Sequence, residues 1–137
     1  MPQPKALVLV VSDYSQSVGI KSLPGAKHDA SRIATALKAA GFETEVALDH
    51  NKSEIKRKLE DFARETKEAD AAIIYTTGHG VEVGGSVYLI PTDYPVAQRN
   101  AALSSRAILL TDIAGSLHAN RVNLLFYGGC RDDPFAK

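Results

Sequence analysis

Short apolar runs alternate with stretches of helical periodicity along this chain. Residues 6–11 and 71–77 are mostly apolar and rich in β-branched side chains, which is typical of strands buried on both faces of a parallel sheet. Between these runs, apolar residues recur every three or four positions over 26–40 and 52–67, the period of an amphipathic helix. A run over 42–48 predicts a strand between the two helices. The pattern therefore alternates strand and helix.

Residues at the predicted helix ends support these assignments. Gly41 follows the first helix where a glycine commonly terminates one. Asn51 and Glu54 have the spacing of a capping box at the start of the second. If the first helix begins at residue 26, Asp29 lies in its first turn, where the helix dipole favours a carboxylate. A structural role for Asp29 therefore stands beside any functional one.

The second half of the chain contains shorter elements. Two β-prone runs around Gly84 and Gly85 predict a hairpin over 81–88. Residues 88–90 predict the start of a fourth strand, which Pro91 stops. Residues 92–105 are predicted to form a loop. Thr111 is expected to cap a short helix over 112–118, and a last buried strand is expected over 122–127.

This order predicts an α/β fold with a mainly parallel sheet covered by helices on both faces. The 137 residues amount to one domain. Basic and acidic residues number 16 each, so charge gives no case for nucleic acid or a membrane as partner. The single cysteine excludes an intrachain disulfide and fits a reducing compartment such as the cytoplasm. No secretory signal or membrane-spanning run is recognisable.

A histidine between two glycines follows the apolar run over 71–77. In open α/β sheets, ligands bind outside the carboxyl ends of the strands, which is where His79 falls. Gly78 and Gly80 allow a sharp turn and a close approach of the backbone to a ligand. Imidazole transfers protons near neutral pH, so His79 is a candidate acid/base. The simpler alternative is a turn histidine without a task.

A cysteine follows the last predicted strand in the same way. Cys130 comes directly after Gly128 and Gly129. Because parallel strands end at one edge of a sheet, His79 and Cys130 are expected to meet there. A thiolate beside an imidazole is a nucleophile, and the amides of Gly80, Gly129 and Cys130 could form an oxyanion hole.

Two other interpretations of these residues remain open. A lone cysteine is most often a small buried hydrophobe, although the glycines before it and the charges after it are unlike core composition. Metal binding is a weaker alternative, because the four histidines and one cysteine show no paired metal-ligand spacing.

With these residues the chain resembles the caspase-like cysteine peptidases, nearest the metacaspase and bacterial caspase-like branch. In caspases a histidine lies about 50 residues ahead of a Cys-Arg motif, and here His79 lies 51 positions before Cys130, which Arg131 follows. The resemblance covers nearly the whole chain through segments at 23–30, 75–80, 89–93 and 130–135. It implies a three-layer α/β/α sandwich and cleavage of peptide bonds in a peptide or protein substrate.

The resemblance also assigns roles residue by residue. His79 matches the catalytic histidine and Cys130 the nucleophile, while the amides of Gly80 and Cys130 match the oxyanion donors. Asp29 matches an acid that in metacaspases lines a pocket for a substrate arginine or lysine, and Thr77 matches a small hydroxyl residue of that pocket. A carboxylate facing a guanidinium or ammonium would give that selectivity.

The chain departs from the family's usual sequence at two points, and the family raises the question of a calcium site. Family members usually carry an acid two residues before the nucleophile, where this chain has Gly128, so half of the expected negative charge is missing. Family members also continue past the cysteine into a small subunit, whereas this sequence has seven further residues. Metacaspases often need calcium, for which Asp112 is one candidate ligand, but no complete site is recognisable.

We therefore expect residues 1–137 to be the large-subunit region of a caspase-like domain without the C-terminal small-subunit part. It would be a fragment, a processed subunit or a chain completed by another caspase-like chain. The leading hypothesis is an endopeptidase cleaving after Arg or Lys. The alternative is a weak or inactive caspase-like domain used for assembly, since a missing part leaves an unpaired sheet edge. A remote third interpretation is a flavodoxin-like binding domain without a His–Cys contact.

Overall fold

The computed structural model describes residues 3–129 and 134–135, so the predictions for Cys130 lie outside the described residues. The elements, in chain order, are β1 (Lys5–Val10), α1 (Pro24–Ala39), β2 (Glu43–Leu48), α2 (Lys52–Thr66), β3 (Ala71–Thr77), β4 (Gly80–Val83), β5 (Ser86–Leu89), a 3-10 helix (Val96–Ala102), α3 (Leu103–Arg106), β6 (Ile108–Leu109), α4 (Leu110–Ala114) and β7 (Val122–Tyr127). No helix within this part of the chain combines the length and the apolarity that crossing a bilayer requires.

The central sheet has the strand order β2-β1-β3-β7, and all three pairings are parallel. Parallel neighbours need crossover connections, and α1 and α2 supply the first two. The four strands therefore end at one edge of the sheet, which confirms the α/β fold with a mainly parallel sheet.

The alternation of side chains in β1 explains the layers. Leu7 and Leu9 point to one face and pack with Ile55 of α2, whereas Val8 and Val10 point to the other and pack with Ala30 of α1. All four strand side chains are fully buried. The result is the expected three-layer arrangement, with a helix on each face of β1.

The ends of α1 correct one prediction and confirm another. Pro24 is the first residue of the helix and needs no hydrogen-bonding partner for a backbone N–H. Asp29 therefore lies beyond the first turn, so the prediction that the helix dipole holds it there is wrong. Gly41 ends the helix as predicted, with φ +95° and its N–H donating to the carbonyl of Lys38.

The start of α2 is as predicted. The side chain of Asn51 accepts from the N–H of Glu54 at 2.9 Å, and the Glu54 carboxylate accepts from the N–H of Asn51 at 2.9 Å. The backbone N–H of Asn51 also lowers the pKa of Glu54. The capping box is thus complete.

The second half of the chain differs from expectation. The hairpin forms as predicted, but residues 86–89 are its second strand and start no strand of the main sheet. They pair instead with β6, so β4, β5 and β6 form a separate antiparallel sheet. Residues 92–105 contain two short helices, and the helix near Thr111 begins at Leu110 without a side-chain cap. Tertiary packing overrode the weak local signals here.

The last strand is not buried as predicted. In β7, Val122, Leu124 and Phe126 are 45%, 42% and 51% exposed. The strand lies at the edge of the sheet, and α1 packs on β1 and β2 rather than on β7. One face of β7 is thus an exposed apolar surface within the described part of the chain.

Candidate active site

The carboxyl ends of β3 and β7 are adjacent. Thr76 pairs with Tyr127 in the register, and Gly128 donates its N–H to the carbonyl of Thr76 at 2.9 Å. A Cβ at Gly129 would lie 2.6 Å from the carbonyl oxygen of Gly78. The two strand ends thus approach closely only because glycine stands at the contact. Each of these glycines directly precedes a predicted catalytic residue, His79 or Cys130.

The imidazole of His79 is held by a backbone carbonyl. Its Nε2 lies 2.7 Å from the carbonyl oxygen of Lys21, and the residue is half-buried. A carbonyl only accepts hydrogen bonds, so Nε2 carries a proton. In the neutral ring Nδ1 then has the lone pair, and Nδ1 has no hydrogen-bond partner in residues 3–129. The arrangement leaves Nδ1 as the basic atom.

A second contact to His79 comes from Tyr14, which lies in the polar loop between β1 and α1. The two ring centroids are 4.8 Å apart with planes inclined at 60°. The Tyr14 hydroxyl accepts from the backbone N–H of His79 at 2.9 Å and donates to the carbonyl of Ile90 at 2.8 Å. Tyr14 is 1% exposed, and this burial raises its pKa well above the usual value, so the phenol is neutral at physiological pH.

Asp49 holds the loop that carries Tyr14 and Lys21. This β1–α1 loop comprises residues 11–23. The Asp49 carboxylate accepts from the N–H and the hydroxyl of Ser12 and from the N–H of Asp13, at 2.6–3.1 Å. Asp49 has φ +59°, a conformation that aspartate tolerates better than most residues. The sequence pattern does not reveal the role of Tyr14 or of Asp49, except that each residue follows a strand.

The Gly80 amide points away from the hairpin. Antiparallel neighbours alternate between hydrogen-bonded and non-bonded pairs. Ile90 donates to the carbonyl of His79 at 2.9 Å, so these two residues form a bonded pair and the next pair, Gly80 with Leu89, is non-bonded. The N–H of Gly80 therefore does not take part in the β4–β5 ladder. This direction is compatible with the predicted oxyanion role.

Asp29 lines an open pocket on the α1 face of the sheet. The pocket has a volume of about 470 Å³ and is also lined by Arg32, Ile33 and Tyr75. Asp29 is exposed rather than buried, and its carboxylate has no hydrogen bond or ion pair within the described residues. Tyr75 is partly buried, and its pKa is raised by this burial and, to a smaller extent, by the charge of Asp29. The pocket is therefore open to solvent and is bordered by one carboxylate and one guanidinium.

The other two predicted pocket residues do not line this space. Thr77 is 7% exposed, and its carbonyl accepts from the N–H of Val11 at 3.0 Å. Gly128 borders the pocket only through Tyr75. A Cβ at position 128 would lie 2.9 Å from the Tyr75 hydroxyl, so this phenol takes the space of a side chain there.

Comparison with known families identifies the chain. A family model described as the caspase domain, a peptidase family, matches residues 3–137. The chain belongs to the caspase family. This confirms the family expected from the sequence motifs, and it makes the chain a relative of cysteine peptidases. No curated protein matches this caspase domain.

Metal ligands do not cluster in this caspase domain as far as the structure describes it. Over residues 3–129 and 134–135, no group of three His, Cys, Asp or Glu side chains is placed to hold an ion. Asp112 borders a groove together with Lys52 and Lys56, whose charges disfavour a cation. The described residues therefore do not fit a calcium site, and no chemistry is assigned to one.

The contact between position 128 and Tyr75 predicts what happens when the acid that family members usually carry at this position is restored. Gly128→Asp is expected to lower the free energy of unfolding by about 1–3 kcal/mol, because the new Cβ displaces the Tyr75 hydroxyl. In a Tyr75→Phe background the cost should be smaller. Urea unfolding of the two single variants and the double variant measures the coupling. Equal costs of Gly128→Asp in both backgrounds would contradict the contact.

Proposed function

We propose that this caspase domain is a cysteine endopeptidase in which His79 is the acid/base and Cys130 the nucleophile. The observation that carries the proposal is the hydrogen bond from Nε2 of His79 to the carbonyl of Lys21. In the neutral ring, this bond leaves Nδ1 as the atom that can accept a proton at the end of β3. The sheet edge there also carries Gly129, which directly precedes Cys130 and packs on Gly78.

The reaction follows from these groups. Nδ1 of His79 accepts the proton of the Cys130 thiol, and the thiolate attacks the scissile carbonyl. The Gly80 amide faces away from the hairpin, and it would stabilise the oxyanion together with the amide of Cys130. The imidazolium then protonates the leaving amine as the C–N bond breaks. A water molecule, deprotonated by His79, hydrolyses the thioester and releases the acid and the thiol.

We further propose that the substrate carries Arg or Lys before the scissile bond. Asp29 supports this, because its carboxylate is unpaired within residues 3–129 and faces an open pocket of about 470 Å³. Arg32 borders the same pocket and offsets part of the negative charge. With Gly128 in place of an acid, selectivity for basic residues would rest on one carboxylate and the Tyr75 hydroxyl. Asp29→Asn should therefore reduce the preference for Arg and Lys.

The experiment compares reporter peptides that end in Arg, Lys or Asp before the cleaved bond. The wild-type protein should cleave the Arg and Lys peptides, and Cys130→Ala should cleave none. Equal rates in both proteins would contradict the peptidase proposal. Because the protein has one cysteine, peptide electrophiles that modify thiols report on Cys130 alone.

An assembly role is the second candidate, and the exposed face of β7 favours it. Val122, Leu124 and Phe126 form an apolar strip on an edge strand, which invites pairing with further polypeptide. We propose that a small-subunit segment or a second caspase-like chain covers it and that residues 1–137 act as the large catalytic part. A purely assembling domain would react with a peptide electrophile no faster than a free thiol.

We also propose that the protein belongs to the metacaspase branch and that its compartment is the cytoplasm.

A further inference from the structure

The Tyr14 hydroxyl is inserted into the β-ladder at the residue proposed as the general base. In a regular bonded pair, His79 and Ile90 would exchange two direct N–H···O=C bonds. One of them is present, from Ile90 to His79 at 2.9 Å. The other is replaced by a two-step bridge, in which the N–H of His79 donates to the Tyr14 hydroxyl and this hydroxyl donates to the carbonyl of Ile90.

This insertion holds the N–H of His79 away from the carbonyl of Ile90, the residue directly after β5. A direct bond would bring the nitrogen and the oxygen to about 2.9–3.0 Å, whereas here an oxygen atom stands between them. The turn at Gly78 leaves the space for it, since a Cβ there would lie 3.0 Å from the Tyr14 hydroxyl. The hydroxyl thus sets where β4 begins, and with it the direction of the next amide, that of Gly80.

The same loop also fixes the imidazole. The ring of Tyr14 packs against the His79 ring, and the carbonyl of Lys21 accepts from Nε2. Ser22 joins the two contacts, because its hydroxyl accepts from the N–H of Tyr14 at 2.9 Å. The backbone and the ring of His79 are therefore both positioned by the β1–α1 loop.

Tyr14 has no spare hydrogen for chemistry. A phenol has one O–H donor, and that of Tyr14 is used on the buried carbonyl of Ile90. The hydroxyl oxygen accepts from a backbone amide of the site rather than facing the open edge. The Tyr14 hydroxyl can therefore contribute only by positioning the groups around it.

We infer that Tyr14 is a positioning residue that orients both the His79 imidazole and the Gly80 amide through its hydroxyl in the β4–β5 ladder. The consequence for catalysis rests on the proposed function. The geometric part does not, because it concerns the amide and the tautomer of His79 whether or not the protein cleaves peptides.

The kinetic test is Tyr14→Phe, which keeps the ring and removes the hydroxyl. Without the bridge, His79 and Ile90 can close into a direct bond, which moves both the base and the oxyanion donor. We expect kcat to fall about 10- to 100-fold with KM nearly unchanged, measured well below the unfolding midpoint. A merely structural role would change the midpoint and leave kcat per folded molecule as in the wild type.

The second test does not depend on activity. In ¹⁵N NMR spectra the amide of His79 should be protected from exchange, and its ring should carry the proton on Nε2, with His79→Gln assigning the signals. Tyr14→Phe should shift the resonances of both groups, because the amide exchanges the Tyr14 hydroxyl for another acceptor and the ring moves with the backbone. If neither signal nor kcat changes, the inference is wrong, and if the wild type shows both signals but no cleavage, only the proposed function fails.

If Tyr14→Phe does not fold, a measurement on the wild-type protein still tests the bridge. The buried hydroxyl proton of Tyr14 should show a nuclear Overhauser effect to the amide proton of His79. Its absence in a spectrum that shows the other buried hydroxyl and amide contacts would overturn the bridge. Site-specific 3-fluorotyrosine at position 14 keeps both hydrogen bonds and should keep kcat near the wild-type value.

Discussion

Replacing His79 by glutamine should lower kcat for reporter cleavage by about 10²- to 10⁴-fold, the usual contribution of general acid–base catalysis. The amide of glutamine can still donate to the carbonyl of Lys21, which now accepts from Nε2 at 2.7 Å. It has no atom that can take a proton from a thiol near neutral pH. The substitution thus removes the chemistry and keeps most of the shape. Initial rates on the best Arg or Lys peptide measure the loss.

The matched control is His28→Gln. His28 is an exposed residue of α1 and makes no hydrogen bond or ion pair within the described residues. Its substitution should leave kcat and KM as they are. Alkylation of Cys130 by iodoacetamide gives a second comparison, because an imidazole that accepts the thiol proton increases the thiolate fraction. If both histidine variants cleave and alkylate like the wild type, His79 is not the base.

The common sheet edge of the site was predictable because it follows from topology. Once residues 71–77 and 122–127 are parallel neighbours, whatever follows them meets at one edge. The structure confirms this for Gly78 and Gly129, and the family match confirms the class of protein. The pairing of His79 with Cys130 stays a prediction, because the latter lies outside the described residues.

The residues that hold His79 and fill the space beside Gly128 were not predictable, because their roles depend on contacts between distant parts of the sequence. Tyr14 stands in a polar loop, where an aromatic residue carries no periodic signal. Its role depends on contacts to residues 65 and 76 positions away in the sequence. Likewise, the space taken by the Tyr75 hydroxyl beside Gly128 depends on strand register, which composition does not reveal.

The errors about burial have a related cause. The apolar run over 122–127 is typical of a buried strand, but burial also depends on what covers it, and α1 packs over β1 and β2 instead. The sequence predicts that α1 starts at residue 26, two residues after its actual start at Pro24, and therefore puts Asp29 in the first turn. Because Pro24 begins the helix, the helix dipole does not account for the position of Asp29.

Gly78→Ala should combine a stability loss of about 1–3 kcal/mol with a fall in kcat of about 100-fold. The added methyl group would lie 2.9 Å from Cδ1 of Leu89, 3.0 Å from the hydroxyl of Tyr14 and 3.1 Å from the carbonyl oxygen of Val11. None of these atoms can yield easily. Leu89 is fully buried, the hydroxyl is held by two hydrogen bonds, and the carbonyl belongs to the backbone.

Gly25→Ala is the matched control, since no atom lies within 4 Å of a Cβ built there. Because Gly25 lies in α1, its substitution should change stability by no more than about 1 kcal/mol, in the stabilising direction. Urea unfolding and kcat, both measured on each variant, separate the two effects. If Gly78→Ala behaves like Gly25→Ala, the turn before His79 has room to spare, and close packing does not hold the imidazole in place.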